Sequence, residues 1–409
     1  MNKMKYTLRP YQSQAVSKLL WSKKLEGADL CILPTGAGKS IVIAELAYKL
    51  KQPILILQPT KEILEQNLAK METYVDPEKI GVYSASMNRK DFGFITFATI
   101  QSIYKKPELF KHFGVIIIDE CHLVNPKNLN GMYTRFFNEI NKSREETKPI
   151  KVFGFTATPY RLDQMYQRLS NGGILTHTVT KLINRTKGRF WHRIMFNINN
   201  QDLIREGYLV PLKYIDKSII KHEDIPTNIS KSDFDLGAYD EMMLEKLDNT
   251  ILESVYLGME LAKSVLVFCS SVHQATSLCE LVPGSAVVTA KTGKKERTRI
   301  IKEFREGKIQ TVFNVGVLTI GFDHPELGAI ILLRPTMSIG LYYQMLGRGV
   351  RPSEGKTHCK VIDMTGTVKQ LGRIETIKLV KRDIWELESE KGSWHNRKLY
   401  SFSLKEGEV

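Results

Sequence analysis

A short apolar run at residues 30–33 feeds directly into Pro34-Thr35-Gly36-Ala37-Gly38-Lys39-Ser40, and a helical pattern follows over residues 41–50. Strand, glycine-rich turn and helix in that order fix the local path of the chain. The glycines permit a tight turn, and the turn's N–H groups and the helix amino terminus then face one point. That point suits phosphate oxygens. Thr35, Gly36, Ala37 and Gly38 form the cradle, Lys39 would reach the β and γ phosphates of a nucleotide such as ATP, and Ser40 would ligate Mg²⁺. The general pattern opens on glycine, whereas Leu33 stands in that place here. A glycine-rich turn arising by chance is the competing reading, and Gly-Lys-Ser between a strand and a helix argues against it.

The rest of the chain repeats the same layout. Apolar runs at 30–33, 54–57, 94–98, 115–118 and 152–155 alternate with amphipathic stretches, and a second series follows at 264–269, 285–289, 311–314, 329–333 and 359–363. Unbroken Val/Ile-rich runs separated by helical patterns are how a parallel sheet covered on both faces reads in sequence. With 409 residues, 42% of them hydrophobic and 25% charged, the chain has enough material for two or three cores. The expected architecture is therefore α/β, two doubly wound domains in tandem. The first is expected over 1–215 with a basic accessory segment near 181–200, then a linker at 216–250 and the second domain over 251–366. A loop should precede one helix over 239–262. A helical extension is expected over 367–409, with 374–390 as its terminal helix.

Charge narrows the partners. Lys and Arg number 59 against 44 Asp and Glu, a net charge of +15. Such an excess favours a polyanion, because each phosphate neutralised releases condensed counterions; the bland reading is that it only aids solubility. The five cysteines are scattered with no close Cys-x-x-Cys pair, so structural zinc is not expected. No apolar run approaches the ~20 residues of a membrane span, and the amino terminus lacks a signal-peptide core. The expectation is a cytoplasmic protein with no membrane partner.

The run at 115–118 ends in Asp119-Glu120-Cys121-His122. A carboxylate at the carboxyl end of a buried strand beside the phosphate-binding strand is where a Mg²⁺ partner belongs, and an adjacent Glu polarises an attacking water. Asp119 takes the first role and Glu120 the second. His122 is read as a relay of nucleotide state, against the alternative of an ordinary strand-end residue.

These four residues, Thr156-Ala157-Thr158-Pro159 and Gln344-Met345-Leu346-Gly347-Arg348-Gly349-Val350-Arg351-Pro352, in that order after the phosphate-binding turn, resemble superfamily 2 helicases of the DEAD/DEAH type. The resemblance spans residues 8–352. Residues 201–211 and Gly321-Phe322-Asp323-His324-Pro325 resemble RadD-like bacterial repair helicases and phage branch-migration helicases more closely. It implies tandem RecA-like domains, ATP with Mg²⁺, and further roles. Arg9, Tyr11 and Gln12 would read the adenine, whose N6 and N7 an amide can pair. Thr156 and Thr158 would couple the ATP site to the nucleic-acid path. Gly321 and Asp323 would face the nucleotide, and Gln344, Arg348 and Arg351 would complete the site, an arginine stabilising charge that develops on the γ phosphate.

The resemblance also implies a strand track made of Pro59, Thr60, Lys61, Thr99, Gln101 and Ser102 in the first domain and Ser270, Thr292 and Thr319 in the second. Hydroxyls, amides and helix starts hold phosphates without reading bases, although each alone would more often be a cap. Arg185, Lys187 and Arg189 with Phe190 and Trp191 combine charge with stacking surface, and are expected to project and engage a fork or junction; a buried Trp is the competing reading. The basic stretch 291–308 carries Glu296, Glu303 and Glu306 as well and reads as a solvated helix with one contacting edge. The expectation is an ATP-driven DNA motor acting on single strands, forks or four-way junctions, one copy at a time. The alternatives are an RNA helicase, the motor of a restriction or nuclease assembly, or a binding module without hydrolysis.

Overall fold

A computed structural model describes residues 6–142, 149–170, 173–185, 190–228, 233–245, 249–318, 322–394 and 398–404. The chain divides into two compact units, Met1–Pro159 with Leu182–Ile198, and Tyr160–Lys181 with Asn199–Val409.

The first unit opens with α1 (Pro10–Ser22), β1 (Ala28–Ile32), α2 (Lys39–Leu50), β2 (Ile54–Gln58) and α3 (Lys61–Met71). β3 (Ile80–Ser84), β4 (Arg89–Lys90), β5 (Ile95–Thr99), α4 (Ile100–Ile103), β6 (Val115–Asp119), α5 (Met132–Lys142) and β7 (Lys151–Thr156) follow. After β8 (Tyr160–Arg168) and β9 (Ile174–Leu182), the chain returns to the first unit as β10 (Trp191–Asn197). Its eight-stranded sheet runs β10-β1-β7-β6-β2-β5-β3-β4, parallel except for the β3–β4 pair. β1, β2, β3, β5, β6 and β7 are buried at every position. That is why their sequences lack alternation: helices cover both faces of the sheet.

The second unit contains α6 (Asn200–Arg205), β11 (Leu212–Asp216), α7 (Leu236–Glu245), α8 (Thr250–Leu261), β12 (Val265–Phe268), α9 (Val272–Leu281), β13 (Ser285–Val288) and α10 (Lys294–Arg305). It continues with β14 (Thr311–Asn314), β15 (Ala329–Leu332), α11 (Ile339–Leu346), β16 (Cys359–Asp363) and α12 (Thr367–Leu371). A six-stranded parallel sheet ordered β11-β16-β15-β12-β14-β13 carries its core. β17 (Lys378–Lys381), β18 (Trp385–Ser389) and β19 (Gly392–Ser393) form an antiparallel meander, and β20 (Lys398–Leu404) pairs with β9 in a second small sheet.

Three expectations change. The terminal helix over 374–390 is instead built around the β17–β18 hairpin, in which Leu379 and Leu387 pair across the strands and are both buried while Lys378 and Lys381 face solvent. The helix over 239–262 is two helices, α7 and α8. The first unit does not run to 215: α6 and β11 belong to the second, since β11 pairs with β16.

Candidate nucleotide site and strand track

α1 and the turn before α2 are tied together by side chains. Tyr11 OH and Gln12 Nε2 donate to the Ala37 carbonyl at 2.8 and 3.0 Å, Gln12 Oε1 accepts from the Arg9 N–H at 2.9 Å, and Arg9 Nη1 lies 3.3 Å from Tyr11 OH. The turn needs glycine at Gly38. Its φ is +75°, and a Cβ there would fall 2.4 Å from Gln12 Nε2. Gly38 is the residue immediately before α2, so the free N–H groups of the first helical turn, at Lys39 and Ser40, point out of the helix end. Ser40 is half-buried at that end.

The Lys39 ammonium reaches across to the carboxyl end of β6. It lies 2.8 Å from Asp119 Oδ1 and hydrogen-bonds Glu120 as well. Asp119 is 2% exposed; its Oδ2 accepts from Asn67 Nδ2 at 2.9 Å, and its Oδ1 accepts from the Glu120 N–H at 2.9 Å. Burial would push the Lys39 ammonium down, but the adjoining Asp119 and Glu120 carboxylates outweigh it and hold Lys39 above its usual range. Burial pushes the Asp119 carboxyl up, opposed by Lys39 and aided by Glu120. Glu120 adopts a left-handed backbone, φ +47°, a conformation that costs a non-glycine residue about 1 kcal/mol or more and turns its side chain back over the strand end. Asn67, which sequence reasoning missed, carries no signal beyond its place on α3.

His122 joins this cluster to the next strand. Its Nδ1 lies 2.9 Å from Thr156 Oγ1, 3.3 Å from Thr158 Oγ1 and 3.4 Å from Glu120 Oε2, and Thr156 Oγ1 also accepts from the Thr158 N–H at 2.9 Å. Lys39, Asp119, Glu120, His122, Thr156 and Thr158 thus form one contiguous polar cluster across the carboxyl ends of β6 and β7 and the start of α2.

The strand-end residues of the first unit also meet. Thr60 caps α3 by accepting from the Ile63 N–H at 3.4 Å, Gln101 Nε2 donates to the Pro59 carbonyl at 3.2 Å, and Lys61 Nζ donates to the Ser86 carbonyl at 2.8 Å. Thr99 and Ser102 hydroxyls are 2.8 Å apart, and Ser102 Oγ accepts from the Ala85 N–H at 3.0 Å. Ser84 and Ser86, missed in the sequence, stand in the same row.

In the second unit Arg348 Nη1 donates to the Phe322 carbonyl at 2.6 Å, and Arg351 pairs with Asp323. Burial, with Arg305 close by, lowers the Arg351 guanidinium to about 10, so it remains a cation at neutral pH. Gln344 is half-buried on α11. Ser270 is 6% exposed and its hydroxyl bonds Asp240 and Gln274, and Thr292, half-buried, accepts at Oγ1 from the Thr289 N–H at 2.9 Å. Thr319 and Gly321 lie outside the described residues.

The basic accessory segment is corrected as well. Trp191 begins β10 and is fully buried, its ring filling the space that Gly154 leaves in β7, where a Cβ would meet it at 2.4 Å. Phe190 packs on Phe137 with ring centroids 4.9 Å apart, so neither ring offers a stacking surface. Arg193 is paired with the buried Asp29 at 2.7 Å, and Arg185 is half-buried in a turn at Ile183–Arg185. Lys187 and Arg189 lie outside the described residues. On α10, by contrast, Arg299 pairs with Glu296 and Glu303 at 2.6 Å each on an exposed face, as a solvated helix should. Among the described residues no helix is long and apolar enough to cross a membrane.

Two family models match the chain: the res subunit of type III restriction enzymes over residues 5–161 and the helicase conserved C-terminal domain over residues 245–353. IRC3 of Saccharomyces cerevisiae, an ATP-dependent helicase by name, is 27% identical over 385 residues, covering 88% of this chain and 51% of its own. The DNA 3'-5' translocase XPB2 of Sulfurisphaera tokodaii is 25% identical over 381 residues, covering 86% of this chain and 80% of its own. The DNA-bound type ISP restriction-modification enzyme LlaBIII shares the fold with a TM-score of 0.61 at 17% identity, over 88% of this chain and 28% of that one. The chain spans 51% and 58% of the length of two curated relatives it matches.

Proposed function

From a chain that belongs to the superfamily 2 helicases in both of its matched domains, with two RecA-like units, we propose an ATP-hydrolysing motor that moves on DNA. The observation that carries this reading is the contiguous polar cluster from Lys39 through Asp119 and Glu120 to His122, Thr156 and Thr158. In this reading Lys39 is the phosphate-binding cation, Asp119 the metal-ligating carboxylate and Glu120 the general base, with His122 leading to the neighbouring strand end.

ATP is the substrate that fits the turn at 34–40. The residues present also suit Mg²⁺, which keeps most of its waters and takes one or two protein oxygens beside the phosphates; Ser40 and Asp119 would hold it. When bound it neutralises charge building on the phosphates. The rest is this chain's own work. Lys39 leaves Glu120 for the phosphates, and Glu120, already held in its left-handed turn, is freed to accept the proton of the attacking water. His122 senses that release because the same Glu120 lies 3.4 Å from its Nδ1, and Thr156 and Thr158 carry the change to the end of β7. Tyr11 and Gln12 hold the turn, and Arg9 with Gln12 would pair the adenine. Gln344, Arg348, Arg351 and Asp323 keep the roles the family resemblance implies.

DNA is preferred to RNA because of the translocase relative, the net charge of +15 suiting either polyanion; the hydroxyl and amide row at the ends of β2, β3 and β5 would hold its backbone. Remodelling of forks and four-way junctions, and a role in recombination or repair, rest on the resemblance alone now that Trp191 is buried and Phe190 packs half-buried against the core. The test is ATP turnover with single-stranded DNA, duplex, fork, four-way junction and RNA. Stimulation by DNA supports the reading, stimulation by RNA only moves the substrate, and no stimulation by either removes the motor.

A further inference from the structure

Beside the backbone row of the first unit the surface dips into a hollow of about 280 Å³ lined by Pro59, Gln101, Leu123, Asn125, Asn128 and Met132, with Tyr133 among its walls. Its volume is just under the ~300–1,000 Å³ of pockets for drug-sized ligands, which suits a group the size of a nucleobase. Two features point to an occupant. Leu123 and Met132 are apolar yet 44% and 36% exposed, an uncommon use of two large side chains on one rim. The Gln101, Asn125 and Asn128 amides are exposed around the same opening.

The loop that carries these groups is well fixed. The Asn128 N–H donates to the Asn125 carbonyl at 3.1 Å, the Gly131 N–H donates to the Asn128 carbonyl at 2.9 Å, and Thr134 Oγ1 donates to the Asn125 carbonyl at 3.2 Å. Side-chain amides on this fixed loop can both donate and accept, which is the combination that pairs the N6 and N7 edge of adenine. The hollow is also continuous with the row that holds the phosphodiester backbone, through Pro59 and Gln101. We propose that it receives one base of the bound single strand, turned out of the stack, with Leu123 and Met132 against its faces and the amides on its edge. A protein expected to hold only backbone thereby acquires a base preference, for adenine before the pyrimidines. This rests on the strand-binding reading above and adds the chemistry of one position to it.

The test compares binding of equally long dA, dC and dT oligomers and an abasic oligomer of the same charge, at one salt concentration, by fluorescence anisotropy. The parent should bind the dA oligomer about tenfold more tightly than the abasic one, the lower end of what a paired base contributes. Asn128→Ala combined with Met132→Ala should erase that difference and leave ATP turnover without nucleic acid unchanged. Equal affinity of the parent for dA and abasic oligomers overturns the proposal, as does full discrimination retained in the double variant. A protein that binds neither oligomer refutes the strand-binding reading as well, and failure of the abasic control makes that case recognisable.

Discussion

His122 Nδ1 and Thr156 Oγ1 are 2.9 Å apart, so the end of the strand that carries both acidic site residues is bonded directly to the end of the next strand. If this contact transmits nucleotide state, Thr156→Val should leave ATP affinity and unstimulated turnover near the parental level while stimulation by single-stranded DNA falls about tenfold or more. Turnover with and without DNA at saturating ATP reads this directly. Equal losses in both would assign the pair to the chemical step itself.

Removing Lys39 should cost stability as well as turnover. Asp119 is 2% exposed and keeps only Asn67 and one backbone N–H once Lys39 is gone. Lys39→Ala should lower the unfolding free energy by about 1–3 kcal/mol, the cost of leaving a buried polar group short of a partner. Thermal melting of Lys39→Ala against Lys39→Ala/Asp119→Asn checks it, since the second change should restore part of the loss.

Gly38→Ala should be the most damaging conservative change in the turn. Its φ of +75° and the 2.4 Å approach to Gln12 Nε2 leave a methyl group no room without pulling the Gln12 amide off the Ala37 carbonyl. ATP affinity should fall by more than tenfold with a melting temperature shifted by only a few degrees, as measured by nucleotide titration and melting together.

The parallel strands, the phosphate-binding turn and the acidic motif at Asp119-Glu120 were legible because burial on two faces writes unbroken Ile/Val runs, and because chemistry at strand ends needs particular residues at particular offsets. What misled was local composition read without its partner. Phe190 and Trp191 sit among Arg and Lys, but Gly154, thirty-seven residues before Trp191, is what makes room for the ring, and no sequence window contains both. The β17–β18 hairpin is dense in Glu, Lys and Arg, and its paired burial of Leu379 and Leu387 is hidden by those charges. The split of the chain at Pro159 and again at Ile198 depends on β10 pairing with β1, a long-range choice that periodicity does not encode.

Arg351 should affect rate far more than affinity. Its guanidinium is a cation paired with Asp323, and the family resemblance gives it a contact made chiefly as charge develops on the phosphate. Arg351→Ala should therefore lower kcat by a factor of about 10³ while KM for ATP changes little. Steady-state kinetics with saturating DNA decides it, and an unchanged kcat removes Arg351 from the chemistry.

The central claim is that Glu120 is the base of an ATPase driven by a bound strand, and the most direct measurement is ATP turnover by the parent and by Glu120→Gln, each with and without saturating single-stranded DNA, alongside nucleotide binding by both. The account predicts a parent stimulated by DNA and a variant that binds ATP normally yet turns over at least about 10² times more slowly in either condition. A Glu120→Gln protein that hydrolyses ATP at near the parental rate would contradict it.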